Sequence, residues 1–349
     1  MDPKDTEHLP ATRSSRRRAT IAVPLLIAMA AAFLIAVGVA LTNGHTRSSV
    51  GTGVVVIETN LAYQGAQAAG TGMVLTPSGE VLTNNHVIRG ATTIDVVLPR
   101  TGRRYHARVI GYDVTDDVAV LQMTGASDLK TVSVGTASNL RAGEKVLALG
   151  NAGGTGHFTR AAGTVTGVGR SITVGDDQGG SESLRGMIET NAAVRPGDSG
   201  GPLLNSSGQV IGMDTAASAS NGFVDQTTSQ GFAIPIDRAM TIARQIESGR
   251  SSSTVHVGDT AFLGVEATAD SYQAGAVVAS VVPGSPAEAA GFAPGDVITS
   301  VGGRAISSPQ ELGDVVSTQP PGTSVSAVYF DQNGMAQTAT LKLASGPPR

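Results

Sequence analysis

Apolar positions along the chain fall into three regimes. Ile21 to Leu41 is an uncharged run of 21 residues, long enough as a helix to span about 31 Å and cross a bilayer core of ~30 Å. From residue 51 to 235 the pattern changes to short apolar runs broken by Gly, Asn and Asp. Among them are Val54–Ile57, Ile94–Leu98, Ala107–Tyr112, Val118–Met123, Val146–Leu149, Thr164–Val168 and Val210–Met213. Many short runs at this spacing predict an all-β barrel or sandwich, not alternating βα units. Ile236–Ser248 breaks that pattern: Met240, Ile242, Ala243 and Ile246 line one helical face, Asp237 is the candidate cap and Gly249 the stop. Arg250–Asp259 is Ser-rich and aperiodic, which predicts a linker.

Beyond Ala261 the pattern is strands mixed with two capped helices. One opens at Ser285-Pro286 and ends at Gly291. The other opens with the capping box Ser308-Pro309-Gln310-Glu311, followed by Leu312, Val315 and Val316 on one face. The predicted organisation is therefore a basic tail at 1–20, a transmembrane helix at 21–41, linkers at 42–50 and 250–259, a β domain at 51–249 and a small α+β domain at 260–345.

Charge gives the first segment its orientation. Arg13, Arg16, Arg17 and Arg18 precede the apolar run, and only Arg47 follows it before Val50. The positive-inside rule then places the tail in the cytoplasm and the body outside. A cleaved signal peptide is the competing reading, with Gly38-Val39-Ala40 as a passable cleavage site, but the run is longer than a signal core. The net charge of −4 comprises +2 in residues 1–20 and −6 in the remainder; an acidic body argues against a nucleic-acid partner. The absence of cysteine excludes disulfides, thiolate metal sites and a cysteine nucleophile. No metal or organic cofactor is implied.

Arg195-Pro196-Gly197-Asp198-Ser199-Gly200-Gly201-Pro202 carries the chemistry. Serine needs a base to take its proton and donors to stabilise the oxyanion. Glycines around Ser199 allow a sharp turn that aims the Gly197 and Ser199 amides at one point. The candidate base is His86, where the strand Val81–Thr83 runs into a turn. His8, His45 and His256 lie in the tail and linkers, and His106 and His157 lack such a context. For the carboxylate, Asp113, Asp116 and Asp117 compete; Asp117 directly precedes an apolar strand that could bury it.

The order His86, Asp117, Ser199 is that of the chymotrypsin fold. The local sequences resemble the HtrA branch of it: Gly70-Thr71-Gly72-Met73-Val74, Leu82-Thr83-Asn84-Asn85-His86-Val87, Asp117-Val118-Ala119-Val120-Leu121, Thr190-Asn191-Ala192-Ala193 and Gly231-Phe232-Ala233-Ile234-Pro235. With its single anchor the chain is similar to the HtrA proteins of high-GC Gram-positive bacteria. The resemblance implies a mainly β chain with two six-stranded barrels, a site in the cleft between them, and homotrimers packed through the protease domains. It also implies a role in envelope protein quality control and stress response, with chaperone activity, on unfolded or C-terminally exposed polypeptides.

Phe262-Leu263-Gly264-Val265, backed by Val281–Glu288 and Ala293–Ile298, resembles the carboxylate-binding loop of a PDZ domain. A C-terminal peptide would add as a strand beside Val265, against the helix at Pro309–Ser317. A basic-residue pocket needs a buried acid six residues before the nucleophile. Here that residue is Ala193; with Gly231, Phe232 and Ala233 along the pocket wall, it implies aliphatic specificity. Polar Ser171–Leu184 is expected to be a mobile surface loop, which in the family senses PDZ occupancy with an arginine near its start; Arg170 stands there. One departure from the family is Asp198, where HtrA proteins commonly carry Asn. It is expected to be solvated or paired with a cation, and the locking of the oxyanion loop stays open. A second is the short stretch Glu58–Ala69, where some members carry a long loop. A catalytically silent or ligand-gated PDZ adaptor is the alternative function.

Overall fold

The computed structural model describes residues 50–175, 181–215, 230–269 and 274–349. The tail and the run at 21–41 lie outside the described residues. Among the described residues, no helix is long and apolar enough to cross a membrane.

The unit Gly51–Arg349 begins with six antiparallel strands, β1 (Val54–Leu61), β2 (Ala66–Val74), β3 (Glu80–Thr83), β4 (Thr93–Leu98), β5 (Arg103–Asp113) and β6 (Val118–Met123). They pair in the order β5-β4-β1-β2-β3-β6, and β5–β6 pairing closes the ring. Alternation sends every second residue inward, so Val55, Ile57, Val81, Val96, Leu121 and Met123 fill this barrel. One turn of helix, α1 (Asn85–Ile88), follows β3.

A second closed barrel runs β10-β11-β12-β9-β8-β7. Its strands are β7 (Lys145–Gly150), β8 (Thr159–Gly175), β9 (Ser181–Thr190), β10 (Pro202–Leu204), β11 (Val210–Thr215) and β12 (Gly231–Pro235). Val146, Val165, Ile188, Leu203 and Ile211 meet inside it. The helix α2 (Ile236–Glu247) follows, burying Ile236, Ala239, Ile242, Ala243 and Ile246. Asp237 does not cap it: its carboxylate instead accepts from the Ala137 amide at 2.7 Å and the Thr136 hydroxyl at 3.1 Å. That ties the helix start to the segment before β7.

The segment read as a linker contains β13 (Val255–Val257), which pairs with the edge of β5. The rest is an α+β module of β14 (Thr260–Phe262), β15 (Val265–Thr268), β16 (Ala276–Val281), β17 (Val297–Val301), β18 (Arg304–Ala305), β19 (Ser324–Phe330), β20 (Ala336–Lys342) and β21 (Ala344–Gly346), with helices α3 (Pro286–Ala289) and α4 (Pro309–Ser317). The main sheet runs β15-β16-β17-β19-β20, while β14 pairs with β21. Ser285 and Ser308 cap the two helices by accepting from the Glu288 and Glu311 amides. Leu312, Val315 and Val316 of α4 pack with Val278, Ile298 and Leu341.

Several contacts among the described residues fasten this module to the first barrel. Tyr63 stacks on Phe262 with ring centroids 5.3 Å apart. The Tyr112 hydroxyl lies 3.1 Å from that of Thr260. The segment after β21 reaches back to the barrel, where the Pro348 carbonyl accepts from the Gly90 amide and the Arg349 carbonyl from Asn85 Nδ2. Arg349 also pairs with Asp314 and donates to the Gln310 carbonyl on α4.

Leu121 is fully buried in the first barrel. Leu121→Ala is expected to lower unfolding free energy by about 2–5 kcal/mol, through lost transfer energy and the cavity left behind; denaturant titration at constant m-value measures it.

Candidate active site

His86 stands in α1, and Asp117 in the turn between β5 and β6 reaches it twice. One carboxylate oxygen accepts from the His86 amide at 2.9 Å, and the other lies 2.8 Å from His86 Nδ1. This grip fixes both the backbone and the ring, and it assigns the proton on Nδ1 so that Nε2 can act as a base. Asp117 is buried, and its φ of 52° lies in the left-handed region. Asn84 Nδ2 donates to its carbonyl at 2.9 Å, and the Thr215 hydroxyl from β11 lies 3.4 Å from its carboxylate. The other two candidates are engaged elsewhere: Asp116 pairs with Arg238 at 2.9 Å, and Asp113 accepts from the Asp116 amide.

Ser199 belongs to the second barrel, in the loop before β10. The two barrels meet at β2. The Thr71 amide donates to the Ser199 carbonyl at 2.9 Å, and the Thr71 hydroxyl donates to the Gly197 carbonyl at 2.7 Å. The same hydroxyl accepts from the Asn151 amide at 2.9 Å. The Thr71 carbonyl accepts from the buried Thr83 hydroxyl at 2.8 Å, which braces it from behind. Gly70 lets the His86 and Ser199 segments converge: a Cβ there would lie 2.6 Å from Val87 and 3.4 Å from the Ser199 carbonyl. Gly200 must be glycine on two counts, since its φ is +82° and a Cβ would run into the Thr71 carbonyl.

The Pro196 carbonyl accepts from the Gly153 amide at 2.8 Å. In a trans peptide the C=O and N–H point opposite ways, so the Gly197 N–H faces away from Gly153, and no acceptor among the described residues takes it. An open cleft of about 830 Å³ adjoins this peptide, lined by Gly153, Pro196 and Gly197 on one side and Glu58, Asp95 and Arg104 on the other.

Asp198 is not solvated, and among the described residues it forms no ion pair. It is buried, and its carboxylate accepts from the Arg195 amide at 3.0 Å and the Thr159 hydroxyl at 3.4 Å. Its own amide donates to the Arg195 carbonyl at 2.9 Å. These reciprocal bonds close the Arg195–Asp198 turn and lock the loop from within. Burial raises the Asp198 pKa against the opposing pull of those hydrogen bonds.

Ala193 is half-buried, while Gly231, Phe232 and Ala233 are buried on β12. A Cβ on Gly231 would meet the Val194 side chain at 2.7 Å. Ala233 shares a cluster with Ala192 and Val194, and alternation turns Phe232 to the opposite face. Ser171–Leu184 is largely strand, not loop: β8 and β9 extend as a long hairpin through Gly175 and Ser181, and residues 176–180 lie outside the described residues. Arg170 Nε donates to Glu189 at 2.7 Å, and Gln230 donates to the other Glu189 oxygen at 2.5 Å. In the C-terminal module, Gly264 has a φ of +90° and packs against Ser285, and β15 is an edge strand of its sheet.

Thr71 is the residue sequence reasoning passed over. It was legible only as part of a motif, because its two hydroxyl partners lie 126 and 80 residues away.

Two closed six-stranded barrels, with a His–Asp pair on one and a glycine-bounded serine on the other, define the trypsin-like serine peptidase architecture. Residues 70–213 match a trypsin-like peptidase domain, and residues 277–328 match a PDZ domain. The chain is 34% identical to the serine protease PepD of Mycobacterium tuberculosis across 83% of its own length and 63% of that protein's. It is 35% identical to the periplasmic serine endoprotease DegP of Salmonella typhimurium across 79% and 57%; it thus spans about three fifths of these relatives. A solved structure of an HtrA-type protease AlgW variant with a tripeptide superposes with a TM-score of 0.50 at 30% identity, covering 86% of this chain and 96% of that one. The chain belongs to the HtrA-type serine protease family, with a trypsin-like domain and one PDZ domain.

Thr71→Val keeps the side-chain volume but leaves the Gly197 carbonyl and the Asn151 amide without partners. It is expected to cost about 1–3 kcal/mol for each orphaned group and to slow acylation of Ser199 by a fluorophosphonate, with the far-UV circular dichroism unchanged.

Proposed function

We propose that the chain is a serine endopeptidase, with Ser199 as nucleophile, His86 as general base and acid, and Asp117 as the group that orients His86. The observation that carries this reading is the double grip of Asp117 on the His86 amide and Nδ1, at 2.9 and 2.8 Å. Ser199 Oγ attacks a peptide carbonyl carbon while His86 Nε2 takes its proton. The tetrahedral oxyanion then receives the Gly197 and Ser199 amides. Collapse expels the amine, to which His86 returns the proton, and water repeats the cycle on the acyl-enzyme. Asp117 does not take the proton; it stabilises the imidazolium and holds its tautomer.

Ala193 and Gly231, with Val194 behind them, favour small or medium aliphatic residues before the cleaved bond. Phe262–Val265 captures C-terminal carboxylates, and the peptide extends along the free edge of β15 toward α4. Substrates are then unfolded or C-terminally exposed envelope proteins, and Arg170, at the base of the β8–β9 hairpin, passes PDZ occupancy to the oxyanion loop through Glu189. We further propose the boundaries 51–249 for the protease domain and 260–345 for the PDZ domain, an outward-facing body anchored through residues 21–41, and trimeric assembly. Both relatives above are named serine proteases, one of them periplasmic, in keeping with this reading.

Fluorophosphonate labelling of the full chain tests the nucleophile. Labelling is expected in the wild type and absent in Ser199→Ala. A wild type that stays unlabelled even with activating C-terminal peptides would leave the adaptor reading in its place. Asp117→Asn is expected to preserve the fold and lower kcat by roughly 10⁴, because an amide stabilises the wrong tautomer; steady-state hydrolysis of an aliphatic peptide substrate checks this.

A further inference from the structure

One buried acid has no part in that mechanism. Asp214, on β11, is fully buried, and neither carboxyl oxygen has a hydrogen-bond partner among the described residues. Its main chain sits where the two halves of the site join. The Gly200 amide donates to the Asp214 carbonyl at 2.9 Å, and the Asp214 amide donates to the Gly201 carbonyl at 2.7 Å. The next residue, Thr215, is the one whose hydroxyl reaches Asp117. A displacement at 214 therefore acts on both the nucleophile's loop and the carboxylate behind His86.

Among the described residues, no cation acts on Asp214 to balance its ionised form. Its strand partners β10 and β12 carry no ionisable residue, and β7 carries only Lys145, exposed at its start. On α2, Asp237 is bound to Ala137 and Arg238 is paired with Asp116; Arg244 bonds Thr241, and Glu247 is a further acid, its pKa raised by burial and by Glu80. From the serine loop comes Asp198, a second buried acid, linked to the same turn by the Gly201 amide donating to its carbonyl at 2.9 Å. Arg195, exposed, faces Asp198. Beyond Thr215 lies Asp117, again a carboxylate. Burial first, and then the charge of Asp198, hold the Asp214 proton well above the usual carboxylate range; the Leu149 backbone, the smallest of the three influences, opposes them.

We propose that Asp214 is a positioning residue for catalysis: a neutral, protonated acid that lets β11 pack against the Asp198–Gly201 turn, and whose ionisation displaces the oxyanion loop and the Asp117 seat together. This rests on the reading of Ser199 as nucleophile. The sign follows from linkage. The folded chain keeps a proton that the unfolded chain has released, so stability falls as pH rises from the unfolded value of about 4 toward the folded one.

The test compares the full-length wild type with Asp214→Asn, a neutral isostere, from about pH 5 to pH 10, by thermal unfolding and by the rate of Ser199 acylation with a fluorophosphonate. Wild-type acylation is expected to rise with His86 deprotonation and then to fall along an alkaline limb, about tenfold per pH unit past its midpoint. The variant keeps the rise, loses that limb, and gains Tm relative to the wild type with increasing pH. An unchanged alkaline limb, or Tm curves that run parallel, overturns the proposal. Should Asp214→Asn fail to fold, Asp198→Asn serves: removing the like charge must move the limb to lower pH, and a limb that stays overturns the proposal equally. If Ser199 does not label at all, the nucleophile assignment fails, while the Tm curves still report the Asp214 proton.

Discussion

The two barrels are joined at the candidate site chiefly through the main chain and hydroxyl of one residue, Thr71. Thr71 belongs to the barrel that carries His86 and Asp117, yet it bonds the Ser199 and Gly197 carbonyls of the other. A nucleophile and a base on separate barrels can work together only if the barrels cannot slide, because catalytic geometry tolerates errors of only about 0.5 Å. The close approach explains why glycines surround the junction. Gly70 and Gly200 leave no room for a Cβ, so the backbones pack directly and their hydrogen bonds, not flexible side chains, set the spacing.

Strain is concentrated at the same place. Asp117 holds a left-handed φ of 52°, a conformation that costs a non-glycine residue roughly 1–3 kcal/mol and persists only when its surroundings over-determine it. They do so here: its carbonyl, both carboxylate oxygens and the β6 strand that follows are all engaged. The backbone twist brings the carboxylate under His86 and lets one side chain hold the ring and main chain of its partner.

Much of this architecture was legible in sequence because its signals are local. Alternating apolar runs became strands, Ser285 and Ser308 became caps, and the glycines around Ser199 became a tight turn. What escaped depends on partners remote in sequence. The three-residue strand β13 exists only because the edge of β5 is open to it, so a Ser-rich linker gave no hint of it. Asp237 had a cap's position but found the Ala137 amide instead. The polar stretch after Arg170 carries loop composition, yet the pairing of β8 with β9 extends through it. Asp198 looked like an acid that would be solvated or paired with a cation; the Arg195 amide three residues back and the Thr159 hydroxyl of β8 satisfied it instead. Asp214, in the apolar run of β11, announced nothing until its enclosure was seen.

The return of residues 344–349 to the first barrel changes how the C-terminal module is attached. β21 pairs with β14 beside Phe262, and the following residues bridge α4 to Asn85 and Gly90, next to His86. Each contact is modest, but a tethered segment meets its partner at an effective concentration in the millimolar range, about what short flexible connections provide. Release of the module would therefore be an internal equilibrium, independent of the protein's own concentration.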